Sequence, residues 1–327
     1  MPQCGRIFFS FRNESDNPMA KKVILDVDPH VDAAVALALA LFDPDLEVVA
    51  VTATAGCVSA AQATKNIQAI IEQLDPPRIP RIGVATETDA GYLGDLHHLY
   101  GKDGLGGADL AVSELHHRHT ADKVICEEIR KSPGEVSIVS LGPLTNMALA
   151  LTREPDMESQ IGEIYIRGGS LGSGDVTSAA EFNIYCNPTA ARRIFHSAVT
   201  KSIIPLDITQ QVVMTYDQLD EISDVTTKSG TLLRKFLPFI FRSYRSVWGL
   251  EGIHLPSAVA LAAISHPELF ASKSLYGDVE TSGDLTLGAT LFDRRIRPDN
   301  QPNMQVITEI DVVATMDYIL RGLATAS

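Results

Sequence analysis

Regular patterning along the chain begins with a short apolar, β-branched run, KVILDV (22–27). An alanine-rich stretch follows, VDAAVALALALF (31–42), and then a second β-branched run, LEVVAVTAT (46–54). Short apolar runs bounded by turn residues fit buried strands, and a dozen helix formers between them fit a crossover helix, so the segment reads as a βαβ unit. The alternation continues. AAQATKNIQAIIEQL (60–74), DKVICEEIRKS (122–132), LTNMALALTRE (144–154) and NPTAARRIFHSA (187–198) read as helices. RIGVAT (81–86), VSIVSLG (136–142), IGEIYIRGG (161–169) and KSIIPLDIT (201–209) read as strands. From about residue 217 the pattern turns helical, with TLLRKFLPFIFRSYRSVW (231–248) and SAVALAAIS (257–265), and it closes with short strands around 283–293 and 303–311 and a final helix.

This alternation predicts an α/β fold: a mostly parallel, doubly wound open sheet with helices on both faces and a largely helical C-terminal part. No Pro-, Gly- or Ser-rich linker and no repeat divides residues 19–327, so a single domain is expected there. Residues 1–18, MPQCGRIFFSFRNESDNP, read as a loose tail, and Met19 in MAKK as an alternative translation start.

In open α/β sheets ligands bind outside the carboxyl ends of the strands. Five chemically loaded stretches fall at predicted strand ends: DVDPHVD (26–32), TAGCVSA (54–60), SLGPLTN (140–146), GGSLGSGDVTSAAEFN (168–183) and DIT (207–209). The first places Asp26, Asp28 and Asp32 within seven residues, just before a helix. A single Asp there commonly caps the helix. Three, with Pro29 setting the turn, suit a hard cation or the vicinal hydroxyls of a sugar, with one carboxylate free to act as a base.

At these residues the chain resembles the calcium-dependent nucleoside hydrolases of the inosine-uridine preferring type, which split the N-glycosidic bond of ribonucleosides. The family signature, D-x-D-P-G-x-D-D-A, stands here as Asp26-Val27-Asp28-Pro29-His30-Val31-Asp32-Ala33-Ala34, and LGPLTN (141–146), AEFN (180–183) and LTLGAT (285–290) follow in the family's order. The resemblance implies Asp28 as the base that activates water and as a metal ligand. It implies Asp32, Glu181 and Asn183 as ribose-gripping residues, with Asp175 where the family offers an Asn. It makes His254 an acid candidate near the leaving base, and Leu141 a metal ligand through its main-chain carbonyl. Carboxylates around an oxocarbenium-like ribosyl centre stabilise its developing positive charge.

The departures cluster in the same place. Ala33 replaces one calcium carboxylate of the family and Leu255 another. His30 stands for a Gly, Cys57 for an Asn and Tyr100 for a His. Calcium needs six to eight oxygens, so weak or absent calcium binding is expected. One alternative is a softer divalent metal on Asp28, His30 and Cys57. A second is a catalytically impaired relative that binds a ribose-containing ligand without turnover.

Composition narrows the partners. Forty-one acidic against twenty-seven basic residues give a net charge of −14, which disfavours a phosphate backbone and leaves a small nucleoside or riboside, not nucleic acid, as the expected partner. No apolar run reaches the roughly 18 residues of a membrane span. The four cysteines, Cys4, Cys57, Cys126 and Cys186, form no paired motif, so reduced thiols in a cytoplasm are expected. The resemblance adds a homo-oligomer, dimer or tetramer. His97, His98, His116, His117 and His119 are expected on solvated surface, and GKDGLGG (101–107) lacks the spacing of a phosphate-binding loop.

Overall fold

The structure, a computed structural model, describes residues 20–86, 96–108, 110–113, 118–222 and 227–326. The expected N-terminal tail, Met19, His116 and His117 lie outside them. Among the described residues eleven strands are formed: β1 (Lys21–Val27), β2 (Leu46–Ala53), β3 (Arg81–Gly83), β4 (Ser137–Ser140), β5 (Ile164–Arg167), β6 (Lys201–Ile204), β7 (Val213–Thr215), β8 (Gly252–His254), β9 (Phe270–Val279), β10 (Thr290–Asp293) and β11 (Met304–Ile310). Nine of them make one sheet in the order β10-β9-β11-β6-β5-β4-β1-β2-β3, and β7 pairs with β8 in a small separate ribbon. From β3 across to β11 neighbours are parallel, whereas β9 and β10 close the edge antiparallel.

The strands read as near-continuous apolar runs because both faces are covered. In β1, Val23, Leu25 and Val27 enter one core cluster with the helices Val31–Ala40, Lys228–Trp248 and Pro256–Ser265, while Ile24 enters the opposite cluster with Ala121–Lys131 and Pro188–His196. All ten residues of Val31–Ala40 are buried. A helix apolar on every side belongs in the interior, and its five alanines let neighbouring helices come close.

Three of the segments that differ from the pattern reading concern strands of the sheet. KSIIPLDIT stops being a strand at Ile204, because Pro205 has no N–H for the ladder and Leu206–Thr209 turns into a short helix. Within 283–293 only Thr290–Asp293 is a strand. Strand β9 gave no sequence signal: its residues 271–274 are exposed edge positions without apolar alternation.

The chain leaves β1 outward through β2 and β3, then returns to add β4 and β5 on the other side. The reversal lies between β1 and β4. At such a switch point the loops diverge and leave a crevice above the carboxyl ends.

Candidate active site

Four strand ends deliver the chemistry to that crevice. Asp28, His30 and Asp32 follow β1, Cys57 follows β2, Leu141 and Gly142 follow β4, and Arg167 ends β5. The backbone holds the ends together: Leu141 N–H donates to the Asp26 carbonyl at 2.8 Å and Thr54 N–H to that of Val27 at 2.9 Å. A Cβ on Gly56 would lie 2.5 Å from Asp28 Oδ2, and one on Gly142 2.7 Å from the Asp28 nitrogen. Both loops therefore need glycine to close around Asp28.

Asp28 is buried, and its Oδ2 accepts the backbone N–H of Cys57 at 2.8 Å, while Oδ1 has no partner. Burial raises its pKa to about 6, against the opposing pull of the Cys57 thiol and backbone N–H and of Arg167. Asp32 accepts the backbone N–H of Ser257 at 3.0 Å. That N–H opens the helix Pro256–Ser265, so Asp32 satisfies the start of a helix 225 residues away. Burial raises its pKa to about 6 as well, opposed by Arg167 and Ser257. Neither Asp caps its own helix, whose N-cap is His30 without a side-chain bond.

Asp26 is turned to other work. Its Oδ1 accepts from Thr52 Oγ1 at 2.6 Å and from Asn146 Nδ2 at 2.8 Å, so it ties β1 to β2 and to the LTN helix start.

The segment after β5 brings the ribose candidates alongside. Glu181 Oε2 accepts from the backbone N–H groups of Gly169 at 3.0 Å and Ile184 at 3.2 Å, which leaves Oε1 without a hydrogen bond. Asn183 Nδ2 donates to the carbonyls of Arg167 at 2.9 Å and Leu141 at 3.3 Å, and its Oδ1 is left free. Asp175 lies at the outer edge with its Oδ1 accepting from Phe182 N–H at 2.8 Å.

Aromatic groups cover the other side. The His30 ring stacks on Tyr100 with centroids 4.4 Å apart and planes 29° apart. Burial, with Arg167 adding to it, drops the His30 pKa to about 3, so its ring is neutral. His254 lies 6.0 Å from the Tyr244 ring between centroids, its Nδ1 buried without a partner and its pKa lowered by burial. Asn66 bridges the Pro29 carbonyl at 3.0 Å and the Asp103 carbonyl at 2.7 Å, which explains the GKDGLGG loop: it packs against the signature turn.

Sequence reasoning missed Arg167, Ser257 and Tyr244. The signal for Arg167 was present, since a charged residue ending the buried run IYIR is costly unless paired. Its Nη1 lies 3.4 Å from Glu181 Oε1, with both side chains at least nine-tenths buried.

Residues 23–317 match the family model for inosine-uridine preferring nucleoside hydrolase. The chain belongs to that family. It is 33% identical over 307 residues to the pyrimidine-specific ribonucleoside hydrolase RihA of Salmonella choleraesuis (strain SC-B67), spanning 93% of this chain and 99% of that one. Among solved structures, the plant nucleoside hydrolase PpNRh1 matches with a TM-score of 0.85 at 29% identity, over 94% of this chain and 100% of that one. The purine-preferring ribonucleoside hydrolase from Gardnerella vaginalis matches with 0.84 at 28% identity, over 94% and 99%. The parallel sheet and its covering helices are thus those of a nucleoside hydrolase, as the sequence implied.

The donor set for the family's calcium falls short. Ala33 and Leu255, at two positions where the resemblance implies carboxylates, are buried hydrocarbon side chains. The Leu141 carbonyl already accepts from Asn183. Asp28 contributes one free oxygen, far from the six to eight that calcium takes. The other candidate group is compact: ligand atoms of Asp28, His30 and Cys57 all lie within 4.8 Å of one another. Cys57 is held as a thiol, its pKa pushed well up by burial and by Asp28, to which it hydrogen-bonds. No helix among the described residues is long and apolar enough to cross a membrane.

Proposed function

We propose that this chain hydrolyses the N-glycosidic bond of ribonucleosides to ribose and free base, and that it does so without calcium. The observation that carries the reading is a set of buried polar atoms left without hydrogen-bond partners around the strand-end crevice: Asp28 Oδ1, Asn183 Oδ1 and Ser257 Oγ, with Glu181 Oε1 met only by the Arg167 guanidinium at 3.4 Å. Buried acceptors are nearly always satisfied. A polyhydroxylated ring supplies the missing O–H donors, and that is the chemistry of ribose.

The roles follow from these partners. Asp28 is fixed by the Cys57 N–H so that Oδ1 takes a proton from water while the water oxygen attacks the anomeric carbon. The glycosidic C–N bond breaks and its electron pair leaves with the base. Glu181 and Asn183 hold hydroxyl groups, and Asp32 adds a carboxylate that counters charge developing on the sugar. His254, whose pKa is lowered by burial and whose Nδ1 has no partner, is the side chain on hand beside the base. Relatives acting on both pyrimidine and purine ribonucleosides support the ribonucleoside class without choosing between bases.

The test is release of ribose from uridine, cytidine, inosine and guanosine, and of nitrophenol from a nitrophenyl riboside, in chelator, with Asp28→Asn as control. Turnover that persists in chelator and disappears in Asp28→Asn is expected. Wild-type rates no higher than the control would replace this reading with a ribose-binding protein that does not turn over its ligand.

A further inference from the structure

Only two cationic side chains are buried among the described residues, Arg167 and Lys201. Lys201 donates to the carbonyls of Ser197 at 2.8 Å and Asn303 at 3.2 Å and takes no part in the crevice. Arg167 alone faces the site. Burial opposes its charge, yet Glu181, Asp32 and Asp175 around it hold it firmly protonated. The site therefore gathers carboxylates from the β1 turn and from the 168–186 segment around one fixed guanidinium. At residues 33 and 255, where the resemblance implies calcium carboxylates, it carries hydrocarbon instead.

We infer that Arg167 is the resident cation of this site, a positioning residue whose guanidinium takes over the charge-balancing task that a metal would perform and makes the site independent of one. The inference rests on the ribonucleoside reading for its activity arm only. A guanidinium cannot be removed by chelation and cannot be deprotonated at any working pH. It is anchored on the last residue of β5, a rigid element, and its ion partner Glu181 is itself fixed by two backbone N–H groups. Its Nη1 lies 3.4 Å from Glu181 Oε1 with both side chains at least nine-tenths buried, so the guanidinium balances carboxylate charge inside the site itself. The compact group of Asp28, His30 and Cys57 faces the same positive charge, which disfavours a second cation among them.

Two measurements test this. The first compares kcat and KM of wild type, Arg167→Lys and Arg167→Met on the best ribonucleoside, with the metal content of each measured after chelator dialysis. The wild type is expected to be metal-free and fully active, Arg167→Met to lose about 10²-fold in kcat with a smaller change in KM, and Arg167→Lys to recover part of the loss. Stoichiometric calcium or zinc with activity lost on chelation, or Arg167→Met retaining kcat within about threefold, would overturn the inference.

The second needs no turnover. Melting temperatures of Arg167→Met, of Glu181→Gln and Asp32→Asn, and of each carboxamide combined with Arg167→Met form two double-mutant cycles. With the cation gone, removing either carboxylate is expected to restore part of the lost melting temperature, even for Asp32, whose hydrogen bond goes to Ser257. Additive effects in both cycles would mean that Arg167 only packs, and the idea falls. If the wild type hydrolyses no ribonucleoside, the functional reading fails while these cycles still decide the cation.

Discussion

Asp28 Oδ2 accepts the backbone N–H of Cys57 at 2.8 Å, and this one bond sets which oxygen of the carboxylate is left to act. The amide belongs to the loop after β2, so the strand next door aims the base. Asp28→Asn keeps the shape and the carbonyl acceptor but loses the proton acceptor. It is expected to reduce kcat by about 10³-fold, within the range for a general base, with little change in melting temperature. Steady-state kinetics beside a thermal melt check this, and a loss under tenfold would assign the base elsewhere.

The raised pKa of Asp28 gives a second expectation. As a base it must be ionised, so kcat/KM should rise with pH through about 6 and level off above it. Stability should run the other way. A carboxylate whose folded pKa is lifted from the ordinary value near 4 to about 6 favours the folded state in acid, and that contribution is lost as pH rises through 6. Asp26, Asp28 and Asp32 all shift upward through burial, so their sum lowers stability between pH 4 and 7. A pH–rate profile beside melting curves at the same values separates the two trends. Activity already maximal at pH 5 would contradict the assignment of Asp28.

Asp32 joins two tasks that a single substitution can expose together. Its carboxylate faces the candidate ribose site and also satisfies Ser257 N–H at the start of the helix Pro256–Ser265. Asp32→Ala should therefore cost about 1 kcal/mol of stability, as loss of a cap does, and raise KM for the ribonucleoside. Asp32→Asn should spare most of the stability and still raise KM, because its oxygen can accept the amide bond but carries no charge. Equal melting temperatures for wild type and Asp32→Ala would deny the capping role.

The sequence made the sheet legible because its inner strands are buried on both faces and therefore spell continuous apolar runs, as KVILDV and VSIVSLG do. The edge was illegible for the converse reason: β9, FASKSLYGDV, is largely exposed at its start and carries no periodic signal. In the candidate site, Asp28 and Asp32 stood out in the carboxylate-rich run DVDPHVD, whereas Glu181 and Asn183 came only with the family resemblance; the fold brings their segments to one crevice. What spacing could not convey was three-dimensional charge balance. Arg167 looks like the polar end of a strand until β5 is laid beside β4 and its guanidinium meets Glu181. Ser257 was hidden too, since its contribution is a backbone N–H, which every residue but proline has.

Restoring the two absent carboxylates gives the last expectation. Ala33 and Leu255 are buried in the same core cluster, and each would become an Asp among hydrocarbon side chains. The double variant Ala33→Asp/Leu255→Asp should be strongly destabilised in chelator, because unpaired buried charges are among the costliest substitutions. Calcium should then return stability in proportion to the logarithm of its concentration above Kd, whereas the wild type should melt at the same temperature with or without it. Adding Arg167→Met should strengthen the calcium response, since it removes the positive charge that competes for the same carboxylates. Calorimetric melts of the three proteins across a calcium series make the comparison. A wild-type rise of several degrees in millimolar calcium would mean that the native donors suffice, and a double variant blind to calcium would mean that positions 33 and 255 do not border the site.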